Sequence, residues 1–202
     1  MAPTLTPFAR KIITYLTLAF GCLVVIRYGI SSPTRDNSSS KHWSILINDP
    51  KLQLRGLIHV LKTYPDQDLP EVEDGALLTP YALGVTEYVT PKQWAARILK
   101  TEKETPLTVF SKTYCPYSKA AKALLTKYDI HPPPFIVEAD LRNDTMRLKS
   151  YLGRLTGHST FPNVIMNSKS YGGSSDINQM HANGELKGVL KQAGLVVKGN
   201  GH

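Results

Sequence analysis

The residue best suited to chemistry in this sequence is Cys115, because a thiolate is a nucleophile that exchanges with disulfides. It lies between a predicted strand, Leu107–Phe110, and a predicted helix, Ser118–Tyr128, and it is followed by Pro116, which is tolerated in a first helical turn. The free N–H groups at a helix N-terminus and the charge of Lys112 both stabilise a thiolate. The pattern therefore predicts a reactive thiol rather than an inert core cysteine.

The number of cysteines limits what this thiol can do. The 202 residues include two cysteines, Cys22 and Cys115, and Cys22 lies within an apolar run. Two cysteines form neither a disulfide framework nor a four-cysteine zinc site. Disulfide chemistry at Cys115 therefore needs a second sulfur from another molecule.

The charge of the chain is uneven. The net charge is +8, and residues 91–202 hold all of the surplus, with 16 basic and 8 acidic side chains, whereas residues 1–90 hold 8 of each. A basic surface attracts anions. Nucleic acid is the usual candidate, but no nucleic-acid-binding motif is present, and a small anionic ligand fits as well.

The segments around Cys115 predict an α/β domain. Helical periodicity and capping signals predict helices over 91–103, 118–128 and 144–156, followed by two short helices separated by Asn183-Gly184. Strands are predicted over 107–110, 135–139, 163–166 and 169–171. The early strand–helix–strand unit indicates a parallel pair, and the late, closely spaced strands indicate a hairpin.

The N-terminal part contains an apolar stretch, residues 12–30, broken only by Arg27. A signal peptide, a transmembrane helix and a buried soluble helix are the alternatives. We favour a transmembrane signal anchor, and Arg10-Lys11 before it favours a short cytoplasmic N-terminus, residues 1–11. Residues 31–90 are interpreted as a stem that contains one short amphipathic helix, Pro50–Thr63.

Three motifs resemble those of glutaredoxins. Lys112-Thr113-Tyr114-Cys115-Pro116-Tyr117-Ser118 resembles their active-site loop, Thr160-Phe161-Pro162-Asn163 the loop that contains their cis-proline, and Gly172-Gly173-Ser174-Ser175-Asp176 their glutathione-binding turn. The motifs occur in the family's order over about 100 residues. Ser118 stands in place of the second cysteine of dithiol members. Together with the predicted anchor and stem, this makes the chain similar to the membrane-anchored, secretory-pathway monothiol glutaredoxins of fungi.

The resemblance implies a thioredoxin-like glutaredoxin fold, with a four-stranded mixed sheet flanked by helices, over residues 91–195, followed by a flexible tail, 196–202. It implies glutathione as the cofactor and Cys115 as the catalytic residue. The glutathione-binding residues that it implies are Lys112, Tyr117, Thr160, Phe161, Pro162, Gly173, Ser174 and Ser175. The chain departs from the family at His158-Ser159, where many relatives have a longer polar or basic side chain.

The activity implied is glutathione-dependent monothiol reduction of protein–glutathione mixed disulfides through a Cys115–glutathione intermediate. The alternatives are a carrier of a glutathione-ligated [2Fe–2S] cluster, in which Cys115 is the metal ligand, and an adaptor with little turnover. Otherwise no metal site is expected. The expected partners are glutathionylated proteins, not nucleic acid, and the glutaredoxin domain is expected to be monomeric.

The expected localisation is that of a single-pass type II membrane protein of the Golgi or endoplasmic reticulum with a lumenal catalytic domain. Two glycosylation sequons, at Asn37 and Asn143, bear on this topology.

Overall fold

The computed structural model describes residues 48–73 and 75–201. The predicted segments 1–11 and 12–30, and the first part of the predicted stem, lie outside these residues. Among the described residues, no helix is both long and apolar enough to cross a bilayer.

The helices begin and end where the local sequence supplies caps. Thr90 caps the second helix in a capping box with Gln93, and Gly157, with a φ of 72°, ends the fourth. The helices of the described part are α1 (Pro50–Thr63), α2 (Pro91–Glu104), α3 (Pro116–Lys127), α4 (Thr145–Thr156), α5 (Ser174–Ala182) and α6 (Leu186–Gln192). The strands are β1 (Leu107–Ser111), β2 (Ile130–His131), β3 (Phe135–Glu138), β4 (Asn163–Met166), β5 (Lys169–Ser170) and β6 (Val196–Val197), and a 3₁₀ turn spans Ala139–Leu141.

The main sheet has the strand order β3-β1-β4-β5. Strands β1 and β3 are parallel, while β4 is antiparallel to both β1 and β5. This mixed, four-stranded sheet confirms the predicted thioredoxin-like glutaredoxin fold. The parallel pair and the hairpin both lie where the sequence predicts them.

Hydrophobic clusters cover both faces of the sheet, because alternate residues of a strand point to opposite faces. Phe110 and Ile165 belong to a cluster with α1, α2 and α4. Val109 and Val164 belong to a second cluster with α3, α5 and α6. The central strands are therefore buried on both sides, which fixes the end of β1 and the start of β4, to which the predicted active-site loops are attached.

Residues 48–90 correct the prediction of a stem that ends at residue 90. The α1 side chains Leu54, Leu57 and Leu61 are buried in the same cluster as Leu148 and Leu152 of α4. Both helices have an apolar stripe that must be covered, and each covers the other's. The described part of the predicted stem is therefore an integral part of the packed domain.

A buried ion pair joins this segment to α4. The carboxylate of Asp144 accepts hydrogen bonds from Arg142 Nε at 2.7 Å and from the Leu69 N–H at 2.6 Å. The Arg142 guanidinium also donates to the Pro65 and Gln67 carbonyl oxygens, at 3.0 and 2.8 Å. The loop after α1 is thus held by Arg142 and Asp144, which lie just before α4.

The C-terminal segment also differs from its prediction as a flexible tail over 196–202. Val196–Val197 forms β6, which pairs antiparallel with the short strand β2. Beyond it, the N–H groups of Lys198 and Gly199 donate to the Asp129 and Tyr128 carbonyl oxygens, at 3.2 and 2.9 Å. The sequence does not predict this pair, because two-residue strands leave no detectable alternation.

Candidate active site

The Cys115 thiol lies at the junction of β1 and α3. Cys115 is the N-cap of α3, with extended backbone angles of φ −72° and ψ 122°, and Pro116 is the first helical residue. The helix therefore begins two residues earlier than predicted, since the fixed φ of proline suits a first turn. As a result the sulfur faces the unpaired N–H groups of the helix.

Hydrogen bonds to the sulfur lower the pKa of Cys115 below that of an ordinary thiol. The main cause is the backbone N–H of Ser118, and the Ser118 hydroxyl, the Tyr117 N–H and the Lys112 charge contribute in the same direction. Burial opposes them. The cysteine is only partly buried, so its thiolate is accessible to a substrate.

Ser118 was named in the sequence analysis only as the replacement for a second cysteine, but its side chain has a further role. It is fully buried, and its Oγ accepts a hydrogen bond from the Lys112 N–H at 3.2 Å. Its hydroxyl hydrogen is therefore available to the Cys115 sulfur. The signal for this was present in the sequence, because Ser118 follows Cys115 by three positions, close to one helical turn.

Lys112 lies on the exposed side of the thiol. Its Nζ is 3.3 Å from the Tyr114 hydroxyl and 5.5 Å from the centre of the Phe161 ring. The ammonium group is therefore placed between the active-site loop and the loop that contains Pro162. This position suits an anionic group of a ligand bound between the two loops.

The loop at Phe161-Pro162 faces the sulfur from the other side. The Phe161–Pro162 peptide bond is cis, and the Cys115 Sγ is 4.0 Å from the Phe161 carbonyl oxygen. Thr160, which precedes Phe161, is exposed and has its hydroxyl 3.1 Å from His158 Nε2. Phe161 is thereby brought next to Lys112 and Cys115, which were predicted from a different motif.

Side chains near His158 tie this loop to its neighbours. His158 Nε2 is 3.2 Å from the Pro162 carbonyl oxygen. The Asn163 amide donates to the His158 carbonyl oxygen at 3.1 Å and accepts from the Ser170 hydroxyl at 2.7 Å. His158, expected only to be a departure from the family, therefore also links this loop to its neighbours, which its sequence context does not predict.

The diglycine turn approaches the same loop closely. Gly172 has a φ of 84°, which favours glycine, and a Cβ at Gly173 would lie 3.3 Å from the Pro162 carbonyl oxygen. Ser174 is buried in the first turn of α5, and Ser175 is exposed beside it. The helix thus presents its first N–H groups next to the Pro162 loop, as the predicted binding of an anionic group requires.

Two acidic side chains, Asp176 and Asp140, hold these loops. Asp176 accepts from the Gly173 N–H at 2.7 Å, and its position three residues later is a capping signal that the sequence contains. Asp140 accepts from the Thr113 N–H at 2.9 Å and from the Thr113 hydroxyl. No sequence signal connects Thr113 with Asp140, because they are 27 residues apart.

Tyr117 is the last of the predicted glutathione-binding residues. Tyr117 is 68% exposed in the first turn of α3, and its N–H is directed at the thiol. Within residues 48–73 and 75–201, no group of three or more histidine, cysteine or acidic side chains is arranged to hold a metal ion.

Comparisons with known proteins agree with this geometry. Residues 107–171 match the glutaredoxin family. The chain is 42% identical to monothiol glutaredoxin-7 of Saccharomyces cerevisiae over 48% of its own length, but over only about half, 49%, of that protein. It is 35% identical to glutaredoxin-2 of Schizosaccharomyces pombe, over 48% of its own length and 86% of that protein.

Among solved structures, the buckwheat glutaredoxin–glutathione complex is 31% identical, with a TM-score of 0.42 over 48% of this chain and 88% of the other. The match to the fission-yeast protein covers most of a whole glutaredoxin, and all three motifs lie around one thiol. The chain therefore belongs to the glutaredoxin family.

Proposed function

We propose that the protein is a glutathione-dependent monothiol oxidoreductase that reduces protein–glutathione mixed disulfides. In the first step the Cys115 thiolate attacks the glutathione sulfur, so that an S–S bond to Cys115 forms, the protein–glutathione S–S bond breaks, and protein thiolate leaves. In the second step the thiolate of another glutathione attacks the Cys115 disulfide. The S–S bond between Cys115 and glutathione breaks as the bond between the two glutathione sulfurs forms. Oxidised glutathione leaves, and the Cys115 thiolate is restored.

The observation that carries this proposal is the environment of the thiol. Among the residues that the structure describes, Cys115 is the one cysteine, and Ser118 follows it by about one helical turn. An internal disulfide with residue 118 is therefore chemically impossible, which supports resolution of the intermediate by the thiol of a second glutathione. The similarity to a protein named monothiol glutaredoxin-7 supports the same route.

The loops around the thiol supply what an extended, anionic tripeptide needs. Lys112 suits the glycyl carboxylate, the Phe161 main chain can pair with the peptide as an added strand, and the N-terminus of α5 at Ser174 and Ser175 suits the γ-glutamyl carboxylate. Thr160, Pro162 and Gly173 shape the floor between them. Tyr117 borders the opening at which the client's sulfur arrives.

The direct test uses the full chain and a small glutathione mixed disulfide, with reduced glutathione, glutathione reductase and NADPH as the coupled system. Cys115→Ser should abolish turnover. The matched control is Cys22→Ser, the other cysteine of the sequence, which should retain the wild-type rate. Near-normal activity in Cys115→Ser would disprove the proposed function.

We also propose, from the sequence alone, that residues 12–30 anchor the chain in a Golgi or endoplasmic-reticulum membrane with the glutaredoxin domain lumenal and monomeric. The basis is the apolar stretch and the preceding Arg10-Lys11 pair. Protease treatment of intact microsomes tests this proposal. Protection of the domain is expected, whereas full digestion without detergent would place it in the cytosol.

A further inference from the structure

The turn between β3 and α4, residues 139–144, lies beside the active-site loop because of the strand register. Strands β1 and β3 are parallel, and Ser111 is paired with Glu138 at their carboxyl ends. The segments that follow two neighbouring parallel strands leave the sheet at the same edge. Asp140 and Thr113, each two residues beyond this pair, therefore meet: the Asp140 carboxylate accepts from the Thr113 N–H at 2.9 Å and from its hydroxyl. We call this segment the β3–α4 turn.

Hydrogen bonds within the β3–α4 turn make it one unit. The Arg142 N–H donates to the Ala139 carbonyl oxygen at 3.3 Å, and the Thr145 hydroxyl is 2.8 Å from the Arg142 carbonyl oxygen. Hydrogen-bonded networks of this kind carry a displacement from one end to the other. A shift of Arg142 is therefore expected to move Asp140 as well.

The opposite side of the β3–α4 turn is bonded to residues 65–69, which we call the α1 loop. The Arg142 guanidinium donates to two carbonyl oxygens of this loop, and the buried Asp144 carboxylate accepts from the Leu69 N–H. One turn thus carries bonds to the active-site loop on one side and to the α1 loop on the other. The α1 loop lies outside the residues 107–171 that match the glutaredoxin family, so the family match does not assign it a role.

The active-site loop that Asp140 holds contains two residues on which the proposed function depends. Lys112 precedes Thr113, and Cys115 follows it by two positions. The sulfur of Cys115 is stabilised mainly by the N–H of Ser118, which belongs to α3 and not to this loop. The bond between Thr113 and Asp140 therefore bears on the position of the Lys112 ammonium more than on the ionisation of the thiol.

We propose that Asp140 and Arg142 are positioning residues through which the α1 loop holds the active-site loop in its glutathione-binding geometry. This inference rests on the proposed function and adds a source of that geometry outside the residues that touch the ligand. Without the link, Lys112 would no longer be held opposite a ligand carboxylate. KM for a glutathione mixed disulfide should then rise, while kcat and the ionisation of Cys115 should stay near their wild-type values.

Three variants of the full chain separate the two sides of the turn. Asp140→Ala removes the acceptor of the Thr113 bonds. Arg142→Met/Asp144→Asn cuts the guanidinium's bonds to the α1 loop, and the new amide oxygen can still accept the Leu69 N–H. Because both charges of the buried pair are removed together, neither is left unpaired. The third variant combines all three substitutions.

The matched control is Arg55→Met/Glu102→Gln. This pair, with Arg55 Nε 2.7 Å from Glu102 Oε1, is also partly buried and ties α1 to α2. It lies near the start of β1, since α2 ends at Glu104, whereas the thiol follows the end of that strand. All proteins are compared with a small glutathione mixed disulfide in the coupled assay, and urea unfolding verifies that each is folded at the assay temperature.

Asp140→Ala should raise KM about three- to tenfold, with kcat within about twofold of wild type. Arg142→Met/Asp144→Asn should raise KM about two- to fivefold, and the combined variant should be no worse than Asp140→Ala, since both act through one link. The control should keep the wild-type KM. If the double substitution is unfolded, Arg142→Lys replaces it, because it keeps a cation for Asp144 but lacks the fork that reaches two carbonyl oxygens.

Three results would overturn the inference: an unchanged KM on either side of the turn, multiplied effects in the combined variant, or an equal rise of KM in the control. Absence of turnover by the wild type would instead refute the proposed function.

Discussion

Replacing Asp144 by alanine should test whether residues 48–90 are part of the folded domain. The Asp144 side chain is completely buried, and that of Arg142 is 11% exposed. The substitution leaves the Arg142 guanidinium without its counter-charge and the buried Leu69 N–H without an acceptor. Unpairing a buried charge costs about 3–5 kcal/mol, and an unsatisfied N–H costs about 1–3 kcal/mol.

These two costs overlap, because Arg142 retains the carbonyl oxygens of Pro65 and Gln67. We therefore expect a total loss of about 3–5 kcal/mol in the free energy of unfolding. Asp144→Asn should lose less, since the amide oxygen still accepts the Leu69 N–H. Urea unfolding followed by intrinsic fluorescence measures both, and Trp94, which is buried in the same cluster, is a suitable reporter.

The same pair has a pH signature. Burial raises the pKa of Asp144, but the hydrogen bonds from Arg142 and the Leu69 N–H outweigh it, so the net pKa lies below its usual value. A lowered carboxyl pKa stabilises the fold above the unfolded-state value of about 3.9. This contribution is lost as the pH falls through the folded-state pKa.

Wild type should therefore lose more stability than Asp144→Asn between pH 6 and pH 3. The matched control is Arg97→Ala, which breaks the exposed pair with Glu87 and should barely move the unfolding midpoint. If Asp144→Ala lowers the stability by less than about 1 kcal/mol, the buried pair does not hold the segment as argued.

Ser118→Ala should raise the pKa of Cys115, measured by thiolate absorbance, and shift the pH–activity profile to higher pH. Ser118→Thr should restore both. An unchanged pKa in Ser118→Ala would show that the hydroxyl does not stabilise the thiolate. Asn143 is exposed at the start of α4, so a lumenal domain should be glycosylated there, and Asn143→Gln should remove the corresponding mass; an unmodified domain protected from protease would contradict this. Purified protein with glutathione should be colourless and monomeric, because Pro116 restricts the loop after Cys115, and Pro116→Gly should bind a cluster more easily; brown wild-type protein with iron and glutathione in comparable amounts would favour the carrier alternative.

The sequence predicted the domain around Cys115 because its signals are local. Thr90 marks a helix start through its side-chain cap, Pro91 and Gly157 mark helix ends through their backbone preferences, and the turn residues between the last strands mark a hairpin. The cis bond at Phe161–Pro162 followed from the resemblance, and the position of Cys115 before a helix was evident from Pro116. The lowered pKa of Cys115 followed as well, although Lys112 contributes less than the donors of Ser118.

The parts that the sequence did not predict depend on contacts between distant residues. The stripe on α1 identified a helix but not its partner, so residues 48–90 were interpreted as a stem. Asp140 and Thr113, and Asp144 and Leu69, are joined only by the fold. Strands β2 and β6 are stabilised by pairing with each other, and neither has enough residues to show a pattern alone.

The closing contact of the C-terminal segment has a practical consequence for how this molecule is handled. Gly199 and Gly201 lie against the backbone and ring of Tyr128, directly after the last turn of α3. The thiol is at the first turn of that helix, and 12 residues at 1.5 Å each place the two ends roughly 18 Å apart. A fluorophore or affinity handle attached to the segment that follows Gly201 therefore starts near the end of α3 remote from the sulfur and leaves entry to the site open.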